Sequence, residues 1–172
     1  MFSYLRPRSE LWVAEQFARL SEYHAAFRSC NRAFHQDPAR RLDHWCSTCD
    51  KCCFIDLVLA PFMDRSELSA IFAGDEPLQQ PDNEERFRTL LDVGDGARPF
   101  ECVGDVNECR SAVLLAAERP DRAGDTLLGR LRDEVGRVAP AAPSGVAALL
   151  APQGGHHIPE RYAPADLLVR AR

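Results

Sequence analysis

The sequence predicts a mainly α fold carrying a zinc staple, on three observations. Apolar residues recur at helical spacing in several windows, as in Leu127, Leu128, Leu131 and Val135. Capping and stop residues bracket those windows, while strand-like alternation never runs beyond a few residues and no internal repeat occurs. The third observation is chemical. Cys46-x-x-Cys49-x-x-Cys52 puts three thiols on two overlapping C-x-x-C units, close enough for all of them to reach one tetrahedral ion.

A chain of 172 residues buries roughly 70% of its unfolded surface in a single core, so composition alone asks for one domain with appendages. The formal net charge is −5, with both signs interspersed, which leaves no broad basic face for nucleic acid. No apolar run approaches the ~18 residues of a membrane span, and Met1 to Pro7 has no apolar signal core. Seven cysteines, three of them at metal-ligand spacing, fit a reduced compartment better than a disulfide framework. The expectation is a cytoplasmic protein with no nucleic-acid or membrane partner.

Residues 1–8 read as extended, because Pro7 biases Arg6 away from helix. Ser9 caps a helix expected to run to about Phe27, with Leu11, Phe17 and Leu20 facing the core. Asp37-Pro38 favours a turn. Phe54 to Phe62 is an apolar run, read as a buried helix leaving the cysteine knuckle and ending near Pro61. Asp64 with Glu67 forms a capping box for a helix that closes at Gly74. After the polar stretch Asp75–Asn83, a helix over Glu84–Asp92 stops around Gly94. Asp105 with Glu108 reads as a second capping box, for a helix reaching Arg119 before Pro120. Thr126–Val138 follows as a helix, then a break at Ala139–Pro143, a Ser144-capped apolar helix and a polar ending with Gly154-Gly155-His156-His157.

The knuckle needs a fourth ligand. Cys30, in Arg28-Ser29-Cys30-Asn31-Arg32, is the first choice, with His44, Cys53 and His35 in reserve. A residue directly after Cys52 on a starting helix points about 100° away, so Cys53 is expected outside the metal shell. Four thiolates favour zinc, with an iron–sulfur cluster as the minor alternative. A closed site has no position for substrate, so Cys30, Cys46, Cys49 and Cys52 read as a structural staple worth about 10 kcal/mol of folding free energy. Arg28, Arg32, Arg40 and Arg41, with Lys51, either offset the charge of the thiolates or form a phosphate-binding edge.

Cys102 and Cys109 suit two-base proton transfer at a carbon acid, but the plainer reading is that one or both are small buried hydrophobes. Glu101 is the stronger single candidate for proton chemistry. The His156–Arg161 stretch closes over a ligand or is a solvated tail. No phosphate loop, dinucleotide fingerprint or nucleophile elbow occurs.

Arg6-Pro7-Arg8-Ser9-Glu10-Leu11, Phe27-Arg28-Ser29-Cys30-Asn31-Arg32, Trp45-Cys46-x-x-Cys49-x-Lys51-Cys52, Ala60-Pro61-Phe62 and Pro99-Phe100-Glu101-Cys102-Val103-Gly104 occur in this order. Together, and with the Ile158-Pro159-Glu160-Arg161-Tyr162 ending, they resemble the MurL family, whose members epimerise the terminal glutamate of UDP-N-acetylmuramoyl-L-alanyl-L-glutamate, a peptidoglycan precursor. The knuckle alone is shared with other enzymes of the ATP-pyrophosphatase group.

The resemblance implies that residues 1–30 are the trailing edge of an ATP-pyrophosphatase-like α/β domain and residues 31–172 the family's C-terminal helical region. It also implies ATP and Mg²⁺, bound mainly by an N-terminal nucleotide-binding half with a Ser-Gly-Gly loop that this chain does not include, so the chain is expected to be inactive alone. Glu101 and Cys102 are placed by this resemblance at proton transfer, and Arg6 and Arg32 at substrate charge. The alternative, from a different class, is a non-catalytic zinc-binding helical module that docks a partner protein.

Overall fold

The computed structural model describes residues 1–97, 99, 103–138 and 143–164. Eight α-helices appear among them, and no strand: α1 Glu10–Ala18, α2 Ser21–His24, α3 Asp50–Leu59, α4 Arg65–Ile71, α5 Glu84–Leu90, α6 Val106–Ala117, α7 Thr126–Val138 and α8 Pro143–Leu150.

The centre of the molecule is α3. Its residues Cys52, Cys53, Phe54, Asp56, Leu57, Val58 and Leu59 are buried, as befits a helix that is apolar on nearly every face. It is surrounded by α1, α5, α6 and the turn Pro77–Gln79. The helix begins at Asp50, inside the knuckle, rather than after Cys53, because Cys49 serves as its N-cap and its Sγ accepts from the Cys52 N–H at 3.4 Å. Against α6 packs α7, which buries Leu127, Leu128, Leu131 and Val135. Burying each large aliphatic side chain contributes about 1.5–3 kcal/mol.

Caps decide most boundaries. Ser9 Oγ accepts from the Trp12 N–H at 3.0 Å and opens α1. Asp64 and Glu67 form the expected capping box of α4, whose end passes through Ala73 and Gly74 at φ +55° and +92°. Asp37 caps a 3₁₀ turn at Pro38–Arg40.

Four expectations are corrected. Residues 3–8 form successive turns, with Arg6 N–H donating to Ser3 and Arg8 N–H to Leu5, instead of an extended run. The expected long first helix ends at Ala18, where tight bonds from Arg19 to Gln16 and Leu20 to Phe17 close it and the backbone breaks at Leu20. Leu20 therefore lies on the surface, not in the core. The second capping box does not form: Asp105 caps α6 through the Asn107 N–H, but Glu108 turns away and accepts from the Leu11 N–H of α1 at 2.7 Å. Finally, α8 starts at Pro143, so Ser144 lies inside its first turn.

Residues 2–9 meet the segment 149–162. Ser9 Oγ donates to the Leu149 carbonyl at 2.7 Å, Gln153 N–H donates to Pro7 at 2.7 Å, and Phe2 stacks on Tyr162.

Candidate metal centre

The knuckle is a loop that turns back on itself. Trp45 is buried, Ser47 adopts a left-handed φ of +58°, and the Ser47 carbonyl accepts from Asn83 Nδ2 at 2.9 Å. That sharp turn aims Cys46 and Cys49 toward Cys52 in the first turn of α3. Cys30 arrives from another segment, and aromatic packing delivers it. Trp45 Nε1 donates to the Phe27 carbonyl at 3.1 Å, and Phe17, Phe27, Trp45 and Phe72 form a continuous run of tilted ring contacts with centroids 4.7, 5.2 and 5.4 Å apart.

The Sγ atoms of Cys30, Cys46, Cys49 and Cys52 all lie within 4.8 Å of one another. Cys30 to Cys49 is 3.8 Å, Cys46 to Cys52 3.6 Å and Cys49 to Cys52 3.5 Å. Four sulfurs at about 2.3 Å from a tetrahedral ion stand about 3.8 Å from one another, so the thiols are spaced to hold zinc. The donor set and its geometry both fit. Bound zinc would supply cross-linking, since four protein ligands fill its tetrahedron.

Hydrogen bonds among Cys46, Cys49 and Cys52 set how tightly each thiol holds its proton. Cys46 is held far below the usual thiol range by its bonds with Cys49 and Cys52, while Cys49 is pushed up to about 12, chiefly by Cys46. Cys52 is pushed up by the same two neighbours. A divalent cation replaces those protons, so metal loading weakens as pH falls.

The reserve ligands are engaged elsewhere. His44 Nδ1 lies 2.7 Å from Asp43, and His35 Nδ1 accepts from the Asp37 N–H at 3.1 Å. Cys53 is buried outside the cluster, as expected, and burial pushes its thiol up. No disulfide joins the described cysteines.

The expected arginine cluster divides. Arg41 Nε donates to the His35 carbonyl at 2.6 Å and braces the loop, and Arg32 and Arg40 are exposed. One cation beside the knuckle is one the sequence did not single out, Arg86 of α5, which binds Asp50 at 2.8 Å. Only the length of the intervening chain hid it.

The family model for the MurL C-terminal domain matches residues 26–145, which take in all four clustered cysteines. The chain belongs to the MurL family. It is 39% identical over 158 residues to the UDP-N-acetyl-alpha-D-muramoyl-L-alanyl-L-glutamate epimerase of Xanthomonas oryzae pv. oryzae, across 92% of this chain and 35% of that protein. The enzyme of the same name from Salinispora tropica is 40% identical over 167 residues, across 95% of this chain and 35% of its own length. The chain thus spans about a third of the curated relatives it matches. No solved structure matches it.

Of the remaining residues expected at a site, Glu101 and Cys102 lie outside the described residues. Arg6 is exposed in the turn before α1 and Arg32 in the loop after Cys30. Cys109 is fully buried on α6, in line with the plainer reading. No helix among the described residues is long and apolar enough to cross a membrane.

A second polar centre was not legible in sequence. Arg122 is wholly buried, with Glu76 at 2.7 Å and Asp125 at 3.2 Å, and Arg65 reaches Asp125 at 3.1 Å. Asp56 of α3 is buried beside them and accepts from the Leu78 N–H at 2.7 Å. Three carboxylates face two guanidinium groups, and burial with the Glu76 charge pushes the Asp56 carboxyl well above its ordinary range. The centre pins the turn Pro77–Gln79 to α3.

Proposed function

We propose that the chain supplies the C-terminal portion of an ATP-dependent epimerase that converts L-Glu to D-Glu in UDP-MurNAc-L-Ala-L-Glu during peptidoglycan synthesis in the cytoplasm. The observation that carries this reading is the match of nearly the whole chain to epimerases of that name. Residues 1–30 are the trailing part of the ATP-pyrophosphatase-like domain, and residues 31–172 are the helical domain. Its zinc is held by Cys30, Cys46, Cys49 and Cys52 and is structural. ATP and Mg²⁺ bind mainly to an N-terminal region supplied by the rest of the enzyme, so this chain is inactive alone.

The need for ATP has a chemical reason. The glutamyl carboxylate attacks the α-phosphate and expels pyrophosphate, and the resulting acyl-adenylate has lost the carboxylate charge that opposes removal of the α-proton. Glu101 and Cys102 are the residues assigned to that proton, and Arg6 and Arg32 to the charges of the substrate.

The test is chiral analysis of glutamate recovered from UDP-MurNAc-L-Ala-L-Glu after incubation with ATP and Mg²⁺. D-Glu is expected when the chain is joined to the N-terminal region of the Xanthomonas enzyme, with AMP and pyrophosphate as co-products, and not with the chain alone. ADP and phosphate would overturn the adenylation step. Absence of D-Glu from a folded, joined protein would overturn the epimerase reading in favour of an interaction module.

A further inference from the structure

We infer that the loop strung between Cys30 and Cys46 is the subsite for the uridine diphosphate end of the substrate, with Arg32 and Arg40 on its phosphates and the Phe34 ring against its base. The inference rests on the epimerase reading above for the identity of the ligand, and on the loop itself for everything else.

The neck of the loop is closed at three points. Cys30 and Cys46 meet in the thiol cluster, Trp45 Nε1 donates to the Phe27 carbonyl, and the Leu42 N–H donates to the Arg32 carbonyl at 3.1 Å. Its tip is braced as well. Arg41 Nε donates to the His35 carbonyl at 2.6 Å, and the Asp37 N–H donates to His35 Nδ1 at 3.1 Å. Surface loops whose ends are held together are frequent carriers of binding residues. Here the ends are held by two of the sulfurs spaced for zinc, so metal binding would fix the loop without the ion touching the ligand.

Charge gives the loop its ligand. Residues 28–41 hold four arginines and one aspartate, in a chain whose net charge is −5. The nearby acids are engaged by other groups: Asp37 accepts from the Ala39 N–H at 3.0 Å, and Asp43 lies 2.7 Å from His44 Nδ1. Arg32 and Arg40 are exposed, and neither meets a carboxylate among the described residues. Arg86, Arg88, Arg119 and Arg130 each do. A guanidinium group matches phosphate in both charge and geometry. The diphosphate that joins a nucleoside to a sugar carries one negative charge on each phosphate, so two guanidinium groups balance it.

Phe34 supplies the other half of a nucleotide site. It is 65% exposed, and its N–H donates to the Asn31 carbonyl at 3.3 Å, which puts it in one tight turn with Arg32. A lone exposed phenylalanine needs no explanation. One sharing a turn with an unpaired guanidinium offers a face for a base to stack on, next to a cation for its phosphate. That pairing favours a nucleotide over inorganic phosphate. Of the two nucleotides in the reaction, the substrate's diphosphate fits two cations, whereas ATP brings a third phosphate and Mg²⁺ and is assigned mainly to the N-terminal region.

The test is an NMR titration of the zinc-loaded chain with UDP-N-acetylglucosamine, following the Nε–H signals of Arg32 and Arg40 and the ring signals of Phe34. Saturable shifts confined to the loop are expected, with affinity in the millimolar range appropriate to a fragment. Arg32→Gln and Arg40→Gln should each weaken binding about tenfold. Phe34→Ala should do the same, and Phe34→Tyr should restore it. All three side chains are exposed, so the helical circular dichroism of the variants should match that of the parent. No shifts, shifts elsewhere, undiminished affinity in the three weakening variants, or tighter binding of ATP with Mg²⁺ at the same signals would each overturn the subsite. So would arginine variants that lose zinc but keep the nucleotide, since the arginines would then serve the thiolates. In the joined enzyme the three weakening variants should raise KM for UDP-MurNAc-L-Ala-L-Glu about tenfold and leave kcat nearly unchanged. D-Glu formation with an unaltered KM in all three overturns the subsite and leaves the epimerase reading intact. Nucleotide binding at the loop without D-Glu formation in a folded, joined enzyme overturns the epimerase reading instead.

Discussion

Asp56 is a residue whose ionisation weighs on the fold. It is fully buried, its carboxyl is raised by burial and by Glu76, and only Arg122 and the Leu78 N–H act significantly in the other direction. A carboxyl whose folded pKa is raised stabilises the protein at low pH, and that stability drains away as pH rises from the ordinary value of 3.8 toward the folded one. Each unit between the two values is worth about 1.4 kcal/mol. Asp56→Asn keeps an oxygen for the Leu78 N–H and removes the proton equilibrium. It is expected to be more stable than the parent above about pH 7, with the difference shrinking toward pH 4. Urea denaturation across that range checks it, and a gap that widens on acidification would contradict the assignment.

At the scale of elements, the buried Glu108 ties two helices together. Its carboxylate leaves its own helix to hold the Leu11 N–H of α1. Glu108→Ala strands a buried donor and should lower stability by about 1–3 kcal/mol, whereas Glu108→Gln, which keeps an oxygen, should lose less than half of that. Equilibrium denaturation of the two variants distinguishes them.

The elements also show what was legible in the sequence. The helix starts at Ser9, Asp64 and Asp105 were read correctly, because these side chains act on backbone groups two or three residues away. The break at Leu20 was not. It is set by the closing bonds of α1 and by the absence of a surface for Leu20 to cover, neither of which local pattern encodes. Glu108 was misread for the same reason, since its partner stands 97 residues away.

Across the whole molecule, one metal-ready knuckle organises the rest. Cys30, Cys46, Cys49 and Cys52 were legible because short cysteine spacing leaves few geometries. The supports of that knuckle were hidden: the Trp45 to Phe27 bond, the Asn83 to Ser47 bond and the Arg86 to Asp50 pair each join distant segments. The buried Arg122 centre was hidden likewise, because a charged residue in sequence carries no sign of its burial. The knuckle itself caps α3, and α3 contacts α1, α5 and α6, so the binding free energy of an ion held there would act on the fold.

X-ray absorption at the zinc edge of the purified chain tests that claim most directly. The account predicts one zinc per chain surrounded by four sulfurs at about 2.3 Å, with loss of helical structure on chelation. An oxygen or nitrogen in the shell, which would mean an open site able to take water or substrate, or a fold unchanged without metal, would contradict it.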